Sequence, residues 1–168
     1  MRAYFSIFII WIVIAATTAQ SAIAASAEQF LDFSTAGLPG RLHVPTAYLP
    51  QHKLPLILFL HGGGERGSDN LLQINQNIDL LLEASESHGG AFLYAPQSST
   101  GVWATTAASP TGDIQNAVAM IHQAMQTYSI DSNRIYVTGL SSGGGGTWDA
   151  LAKYPSEFAA GIPICHLG

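Results

Sequence analysis

The pentapeptide Gly139-Leu140-Ser141-Ser142-Gly143 constrains the fold of this chain more than any other segment. It directly follows a β-type run, Arg134–Thr138, and precedes a helix-compatible stretch that ends near Tyr154. A strand, a G-x-S-x-G turn and a helix in that order make a bend so sharp that the positions flanking the serine must be nearly bare. The pattern predicts that Ser141 lies at the tip of the bend with its hydroxyl exposed, where a nucleophile would stand.

A second glycine-rich motif follows another predicted strand. His61-Gly62-Gly63-Gly64 comes directly after the apolar run Leu54–Leu60, which is typical of a strand buried on both faces. Glycines there free backbone N–H groups to point at one spot, and acyl transfer needs such donors because the attacked carbonyl becomes an oxyanion. We predict the Gly63 N–H as one donor, with Gly64 as the alternative, and the Ser142 N–H as the other. A glycine-rich turn without chemistry is the competing interpretation.

Strands and helices are predicted to alternate along the chain. The apolar residues of each predicted helix repeat at helical spacing, and Asp113 is expected to cap the second helix. This alternation indicates an α/β fold with a mostly parallel sheet flanked by helices. The predicted strands are residues 30–38, 41–44, 54–60, 91–95, 134–138 and 158–164, and the predicted helices are residues 71–87, 113–128 and 142–154.

The four consecutive glycines at 143–146 are unusual at the start of a helix. Each one is about 1 kcal/mol less favourable than alanine in a helix interior. Bare backbone at these positions would permit close packing against the sheet and leave room for substrate. Local sequence drift without a role is the alternative explanation.

The N-terminal segment has the features of a secretory signal. Arg2 precedes the apolar run Ala3–Ala16, and small residues follow up to Ala22-Ile23-Ala24, an A-x-A cleavage pattern. We predict cleavage after Ala24, with residues 25–168 forming the exported domain, which would be secreted or periplasmic without a stable membrane anchor. An uncleaved anchor is the alternative, but the strongly apolar part is shorter than the roughly 18–20 residues that a membrane span needs.

Charge, motif content and cysteine content limit the classes of function that this chain could have. The net charge is −5 and only 10% of the residues are charged, which excludes a basic nucleic-acid-binding surface. No metal-ligand cluster, phosphate loop or nucleotide fingerprint is present, so we expect no cofactor and no metal. Cys165 is the only cysteine. It is interpreted either as a thiol awaiting a partner or as a small buried residue at a strand end.

The two glycine motifs and their flanks together resemble secreted α/β-hydrolases of the predicted-peptidase and phospholipase/carboxylesterase type. Feruloyl esterases and polyhydroxyalkanoate depolymerases are similar relatives. The resemblance covers residues 54–165 and implies an α/β-hydrolase fold and a serine nucleophile. It rests on Leu58–Gly67 with Asp69-Asn70, on Ala95-Pro96-Gln97 with Trp103, on Asp131–Gly144 with Gly146–Asp149, on Tyr154-Pro155 and on Ile162–Cys165.

The chain departs from this family in two ways. Ser142 stands where the family usually has methionine, Gly145 where it often has an aromatic residue, and His166 where it usually has a small residue. The family also implies the chain order serine, aspartate, histidine, and this sequence stops at Gly168. We therefore expect the N-terminal part of a hydrolase that lacks the last strands, with an open apolar edge after the sixth strand and no triad acid or base.

The predicted function is that of a serine hydrolase acting on carboxylic esters through an acyl-enzyme. A serine peptidase of the same fold and an inactive, truncated binding protein are the alternatives. The substrate would be a small-molecule or polymer-borne ester, contacted by Gly64, Trp103 and His61. Tyr94 is expected either to line the cleft or to pack in the core. His61 is expected to orient its loop, Glu65 and Arg66 to pair and brace it, and His166 is a minor candidate for the base.

Overall fold

The computed structural model describes residues 27–34, 37–75, 78–104 and 112–166. The predicted signal segment, residues 1–24, lies outside them. The strands are β1 (Leu31–Asp32), β2 (Gly40–His43), β3 (Leu54–Leu60), β4 (Phe92–Pro96), β5 (Ile130–Leu140) and β6 (Ala160–Ile164). The helices are α1 (Ile78–Glu86), α2 (Gly112–Thr127) and α3 (Ser142–Lys153), with 3₁₀ turns at Gly63–Glu65 and Leu72–Ile74.

The six described strands form one sheet in the order β1-β2-β4-β3-β5-β6. β1 and β2 are antiparallel to their neighbours, whereas β4, β3, β5 and β6 are mutually parallel. The prediction of a mostly parallel sheet flanked by helices is therefore confirmed.

The centre of the sheet is apolar because β3 and β4 carry almost only hydrophobic side chains. All five residues of β4 are buried, and so are Leu56, Leu58 and Leu60 of β3. α2 packs Ile114, Val118 and Ile121 into the same core, on the helical spacing that the sequence predicts. Tyr94 belongs to this core: its hydroxyl donates to Met120 Sδ at 2.7 Å and burial raises its pKa, so the core interpretation of Tyr94 is confirmed.

Two details of the predicted helices are wrong. The predicted helix 71–87 is divided: Leu72–Ile74 forms a 3₁₀ turn, and α1 begins only at Ile78. Asp69 Oδ1 accepts the Leu71 and Leu72 N–H groups, which favours a separate turn there. Asp113 lies inside the first turn of α2 instead of at its cap.

The outer part of the sheet at β6 has an apolar, accessible surface. Ile162 is 67% exposed, Leu80 of α1 is 71% exposed, and Tyr136 and Ile164 are also exposed. A shallow groove lined by Ile57, Leu81, Tyr136 and Ile162 runs along this face. Cys165, just beyond β6, is exposed with a φ of 54°, so the interpretation of Cys165 as a buried residue is wrong. No helix within the described ranges is long and apolar enough to cross a bilayer.

Candidate active site

The register of the parallel strands brings the two glycine motifs together. Leu60, the last residue of β3, pairs with Gly139 of β5, and Leu140 pairs with Ile164 of β6. The chain therefore leaves β3 into the His61–Gly64 loop beside the point where it leaves β5 into the Ser141 turn. Both motifs lie at the carboxyl edge of the sheet, where open α/β sheets bind ligands.

Ser141 occupies the bend between β5 and α3 in an unusual backbone conformation. Its φ is 54° and its ψ is −114°, a region that residues with a side chain rarely adopt and that costs on the order of 1–3 kcal/mol. The bend is held from both sides, because the Ser141 N–H donates to Ile164 O at 2.9 Å and Ser141 O accepts the Gly145 N–H at 3.1 Å. Ser141 is exposed, and its hydroxyl takes part in none of the hydrogen bonds found among the described residues.

The glycines on either side of Ser141 are required by close backbone approach. A Cβ atom on Gly143 would lie 1.9 Å from Leu60 O, and one on Gly139 would lie 2.4 Å from Gly143 O. Real Cβ contacts are never this short, so no other residue fits either position without moving the backbone. The prediction of bare flanking positions therefore agrees with the geometry of the bend.

The His61–Gly64 loop faces the bend at van der Waals distance. A Cβ atom on Gly62 would lie 3.8 Å from Ser141 Cβ, and one on Gly63 would lie 3.9 Å from Ser142 Oγ. A Cβ atom on Gly64 would meet nothing within 4 Å, and Gly64 is exposed. Gly63, not Gly64, is therefore the residue of this loop that lies against Ser142.

Two backbone N–H groups at this corner have no hydrogen-bond acceptor among the described residues. Ser142 is the first residue of α3, so its N–H is among those without an intrahelical acceptor. The 3₁₀ turn is closed by a single bond from the Glu65 N–H to Gly62 O, and no bond donated by the Gly63 N–H is found among the described residues. Two N–H groups without an acceptor among the described residues, one in the 3₁₀ turn and one at the first residue of α3, thus lie near the exposed serine, an arrangement suited to binding an anion or a developing oxyanion.

His61 is locked in place beneath the loop as a neutral ring. Its side chain is 1% exposed, its Nδ1 donates to Gly62 O at 2.6 Å, and its Nε2 accepts the Ser98 N–H at 2.9 Å. These two bonds require the tautomer protonated on Nδ1. Burial lowers the pKa of His61, and the hydrogen bond to Gly62 and the nearby carboxylates only partly oppose this. Because both ring nitrogens are already used, His61 orients the loop and is not placed to take a proton from Ser141.

Trp103 supports the loop from the same side. It is 1% exposed, its Nε1–H donates to His61 O at 2.9 Å, and its ring meets the His61 ring edge-on with centroids 4.9 Å apart. A Cβ atom on Gly146 would lie 2.4 Å from Trp103 Cβ, so the bare backbone of α3 makes room for the indole. Both Trp103 and His61, predicted to contact substrate, therefore have side chains that are buried behind the loop.

Polar side chains fix the far end of the loop. Gln97, at the end of β4, donates through Nε2 to Glu65 O and to Asp69 Oδ1 and accepts the Asn70 N–H. Partial burial acts to raise the pKa of Asp69, but hydrogen bonds from Leu72, Leu71 and Gln97 hold that pKa below its usual value. The loop thus keeps its shape through a network in which backbone and side-chain groups satisfy one another.

The predicted pairing of Glu65 with Arg66 is wrong. Arg66 donates instead to Gly63 O at 2.7 Å, and the ion pairs found among the described residues include none between the two side chains. The structure uses the guanidinium to hold the carbonyl of Gly63, the residue that lies against Ser142.

Ser98 is a supporting residue that sequence reasoning missed. Besides the bond from its N–H to His61, its Oγ donates to Asp113 Oδ2 at 2.5 Å and accepts the Gly101 N–H at 2.8 Å. Asp113 therefore accepts a hydrogen bond from the Ser98 hydroxyl and links α2 to the segment after β4. The signal that could have found Ser98 is its position just after β4, at the same sheet edge as both glycine motifs.

The glycines of α3 are explained by what packs on them. A Cβ atom on Gly144 would lie 2.7 Å from Ile164 O, and one on Gly145 would lie 2.9 Å from His166 Nε2. With Gly143 against Leu60 O, and Gly146 against Trp103, all four positions sit at close contacts. The packing interpretation of these glycines is favoured over local drift.

The described histidines do not include a partner for the Ser141 hydroxyl. His166 lies over the bare backbone of Gly145, one helical turn from Ser141, and makes no hydrogen bond found among the described residues. His43 Nε2 contacts Glu86 at 2.7 Å, and the exposed His122 contacts Glu157 at 2.8 Å. Within the described ranges no group of three or more His, Cys, Asp or Glu side chains could hold a metal ion.

The chain is similar to known esterases and to a depolymerase. It is 31% identical over 128 residues to a bifunctional acetylxylan esterase/xylanase, XynS20E, of Neocallimastix patriciarum, covering 76% of this chain and 18% of that protein. It is 30% identical over 125 residues to a poly(3-hydroxybutyrate) depolymerase of Ralstonia pickettii, covering 68% and 25%. The crystal structure of a thermostable esterase superposes with a TM-score of 0.76 at 37% identity, covering 86% of this chain and 43% of that one.

The chain thus spans about a quarter or less of these two curated relatives and less than half of the solved esterase. Residues 43–147, more than half of the chain, match the BD-FAE family. This match contains the His61–Gly64 loop and the Ser141 bend, the two motifs that the sheet register brings together. The chain therefore belongs to the BD-FAE family and has the α/β-hydrolase fold.

Proposed function

We propose that this chain carries the nucleophile and the oxyanion donors of a serine hydrolase that cleaves carboxylic esters. The observations that support the proposal are the strained, exposed Ser141, its place beside the Gly62–Gly63 backbone, and the Gly63 and Ser142 N–H groups, for which no acceptor is found among the described residues. Strain of this kind is kept where a side chain must be presented in one direction. The names of the similar proteins, an acetylxylan esterase and a hydroxybutyrate depolymerase, support an ester as the bond that is cleaved.

The reaction would proceed in two steps at Ser141. Its Oγ forms a bond to the acyl carbon, the carbonyl electrons move onto oxygen, and the Gly63 and Ser142 N–H groups bind the resulting oxyanion. Collapse of this intermediate breaks the bond to the alcohol, which leaves with the proton first taken from Ser141. Water then attacks the acyl-enzyme, releases the acid and returns a proton to Ser141 Oγ. Each backbone donor is worth about 3–4 kcal/mol in the transition state.

The base that handles this proton is proposed to be a histidine oriented by an aspartate, a pair that the described residues do not place beside Ser141. The proposal rests on the serine–aspartate–histidine order implied by the resemblance, and on the neutral His61, whose two ring nitrogens are already bonded. A serine hydroxyl is a weak nucleophile without such a base. The chain alone should therefore react slowly with esters.

Hydrolysis of p-nitrophenyl acetate, with and without imidazole as a diffusible base, tests this function. We expect release of p-nitrophenol close to the Ser141→Ala background without imidazole, and a clear Ser141-dependent rate when imidazole is added. Equal rates for the wild type and Ser141→Ala in imidazole would refute the role of Ser141. Fast Ser141-dependent turnover without imidazole would refute the proposal that the base lies elsewhere. A matched anilide distinguishes an esterase from a peptidase, and we expect the ester to react far faster.

We also propose that the chain is exported and cleaved after Ala24. The support is the order of charged, apolar and small residues in the first 24 positions. N-terminal sequencing of the protein recovered from the medium or periplasm should give Ala25 as the first residue. An N-terminus at Met1 in membrane fractions would instead support an uncleaved anchor.

A further inference from the structure

The Ser142 side chain has an unpaired hydroxyl at the candidate active site. Its Oγ is buried and is one of two buried side-chain polar atoms in the described part of the chain that have no hydrogen-bond partner. The residue itself is only half-buried, because it stands at the start of α3 next to the exposed Ser141. Buried polar groups are almost always paired, so an orphan beside a reactive group calls for an explanation.

The position of this hydroxyl matches that of the two backbone donors. A Cβ atom on Gly63 would lie 3.9 Å from Ser142 Oγ, so the hydroxyl stands between the loop that bears the Gly63 N–H and the helix end that bears the Ser142 N–H. It belongs to the same residue as one donor and lies against the residue of the other. Two carbonyl groups of this loop already accept hydrogen bonds, Gly63 O from Arg66 and Gly62 O from His61.

We propose that the Ser142 hydroxyl is a third donor to the oxyanion, which joins the Gly63 and Ser142 N–H groups when Ser141 attacks an acyl carbon. This inference rests on the proposed function. A hydroxyl can turn its O–H about the Cβ–Oγ bond and donate a hydrogen bond, and the oxyanion is an acceptor that exists only during the reaction. The orphan oxygen of the resting protein then has a partner in the transition state. The unpaired oxygen destabilises the resting protein, and the hydrogen bond to the oxyanion removes this cost during the reaction.

If the Ser142 hydroxyl has this role, its removal should lower the activity without lowering the stability of the folded protein. Removal of the hydroxyl takes away a buried unpaired polar atom, so the folded protein should not become less stable. The same removal takes away a hydrogen bond that forms only in the transition state, so kcat should fall while KM stays the same. A hydroxyl that served only to hold the loop would instead lower the melting temperature when removed.

The test compares Ser142→Ala, Ser142→Thr and wild type, with Ser132→Ala as a matched control on an exposed strand position away from the site. Ser141-dependent hydrolysis of p-nitrophenyl acetate in imidazole gives kcat and KM, and thermal unfolding gives stability. We expect Ser142→Ala to lower kcat about 10-fold or more, since single oxyanion donors contribute about 10²–10³. KM and the melting temperature should not fall, and Ser142→Thr should recover much of the rate.

The outcomes distinguish this inference from the proposed function. An unchanged kcat in Ser142→Ala, while Ser141→Ala abolishes the reaction, would overturn the hydroxyl's role and leave the serine hydrolase intact. A melting temperature that falls by several degrees in Ser142→Ala would also overturn it, whatever the activity, because the hydroxyl would then have a structural partner. If Ser141→Ala is as active as the wild type in imidazole, both proposals fail.

Discussion

The corner where β3 and β5 end differs sharply from the outer face of the sheet at β6. At the corner, backbone atoms of Gly139, Gly143 and Leu60 approach so closely that an added methyl group would have no room. At the outer face, Ile162 is 67% exposed and lines an open apolar groove. The conformation of the corner is therefore fixed by close backbone contacts that only glycine permits. By contrast, no described residue covers the apolar face at β6.

The largest effect is expected from adding one methyl group at the corner. In Gly143→Ala the new Cβ would lie 1.9 Å from Leu60 O, a backbone atom that cannot move aside without breaking the β3–β5 pairing. We expect a loss of more than about 3 kcal/mol in the free energy of unfolding, beyond the usual range for overpacking. Urea denaturation measures this loss. Gly64→Ala is the matched control, because its Cβ would meet nothing within 4 Å, and an equal loss in both variants would contradict the steric account.

A second experiment contrasts apolar side chains in the two regions. Leu58 of β3 is fully buried in the core, so Leu58→Ala should lower the free energy of unfolding by about 2–5 kcal/mol. Ile162→Ser on the exposed face should change it by less than about 0.5 kcal/mol and reduce any self-association of the protein. Chemical denaturation and light scattering measure the two quantities. A loss in Ile162→Ser as large as that in Leu58→Ala would mean that the outer face is covered.

The corner should also respond to pH through His61. Burial lowers the pKa of this ring in the folded protein, so the unfolded chain binds the proton more readily as the pH falls below about 6.5. Stability should therefore decrease between pH 7 and pH 5, where few carboxylates titrate. In His61→Gln, thermal unfolding should start from a lower melting temperature and show a weaker dependence on pH in this interval. The same pH dependence in both proteins would contradict a buried, neutral His61.

The smallest effect is expected at His166. Its ring lies over Gly145 without a hydrogen bond to Ser141, so His166→Ala should leave the Ser141-dependent rate on p-nitrophenyl acetate within about two-fold of wild type. A loss of several orders of magnitude, of the size seen when a triad base is removed, would identify His166 as the base.

Much of the corner could be predicted from sequence because glycines mark the positions where two backbone segments approach too closely for a side chain. The strand–turn–helix order around Ser141 and the loop after Leu60 both follow from local pattern. The supporting contacts could not be predicted in this way. Ser98 and Gln97 contact the loop from the segment after β4, and Asp113 of α2 holds Ser98. Arg66 donates to the Gly63 carbonyl and not to its neighbour Glu65. These partners depend on which loops the register brings together.

The wrong predictions for the start of the first helix and for the burial of Cys165 have a similar origin. The spacing of apolar residues predicts that the first helix begins at Leu71. The Asp69 carboxylate instead accepts hydrogen bonds from the Leu71 and Leu72 N–H groups, which favours a short turn there. Cysteine is usually buried, which favours a buried Cys165, yet this residue is exposed and has a positive φ. In both places one local backbone contact or conformation outweighed the residue-level preference.

The central claim is that the bend directs the Ser141 hydroxyl at the donors of the glycine loop, and a crystal structure of a fluorophosphonate adduct tests it most directly. The account predicts phosphorus bonded to Ser141 Oγ alone, with the phosphonyl oxygen about 2.7–3.1 Å from both the Gly63 and the Ser142 nitrogen atoms. Modification of another residue, or a phosphonyl oxygen turned away from Gly63, would contradict it.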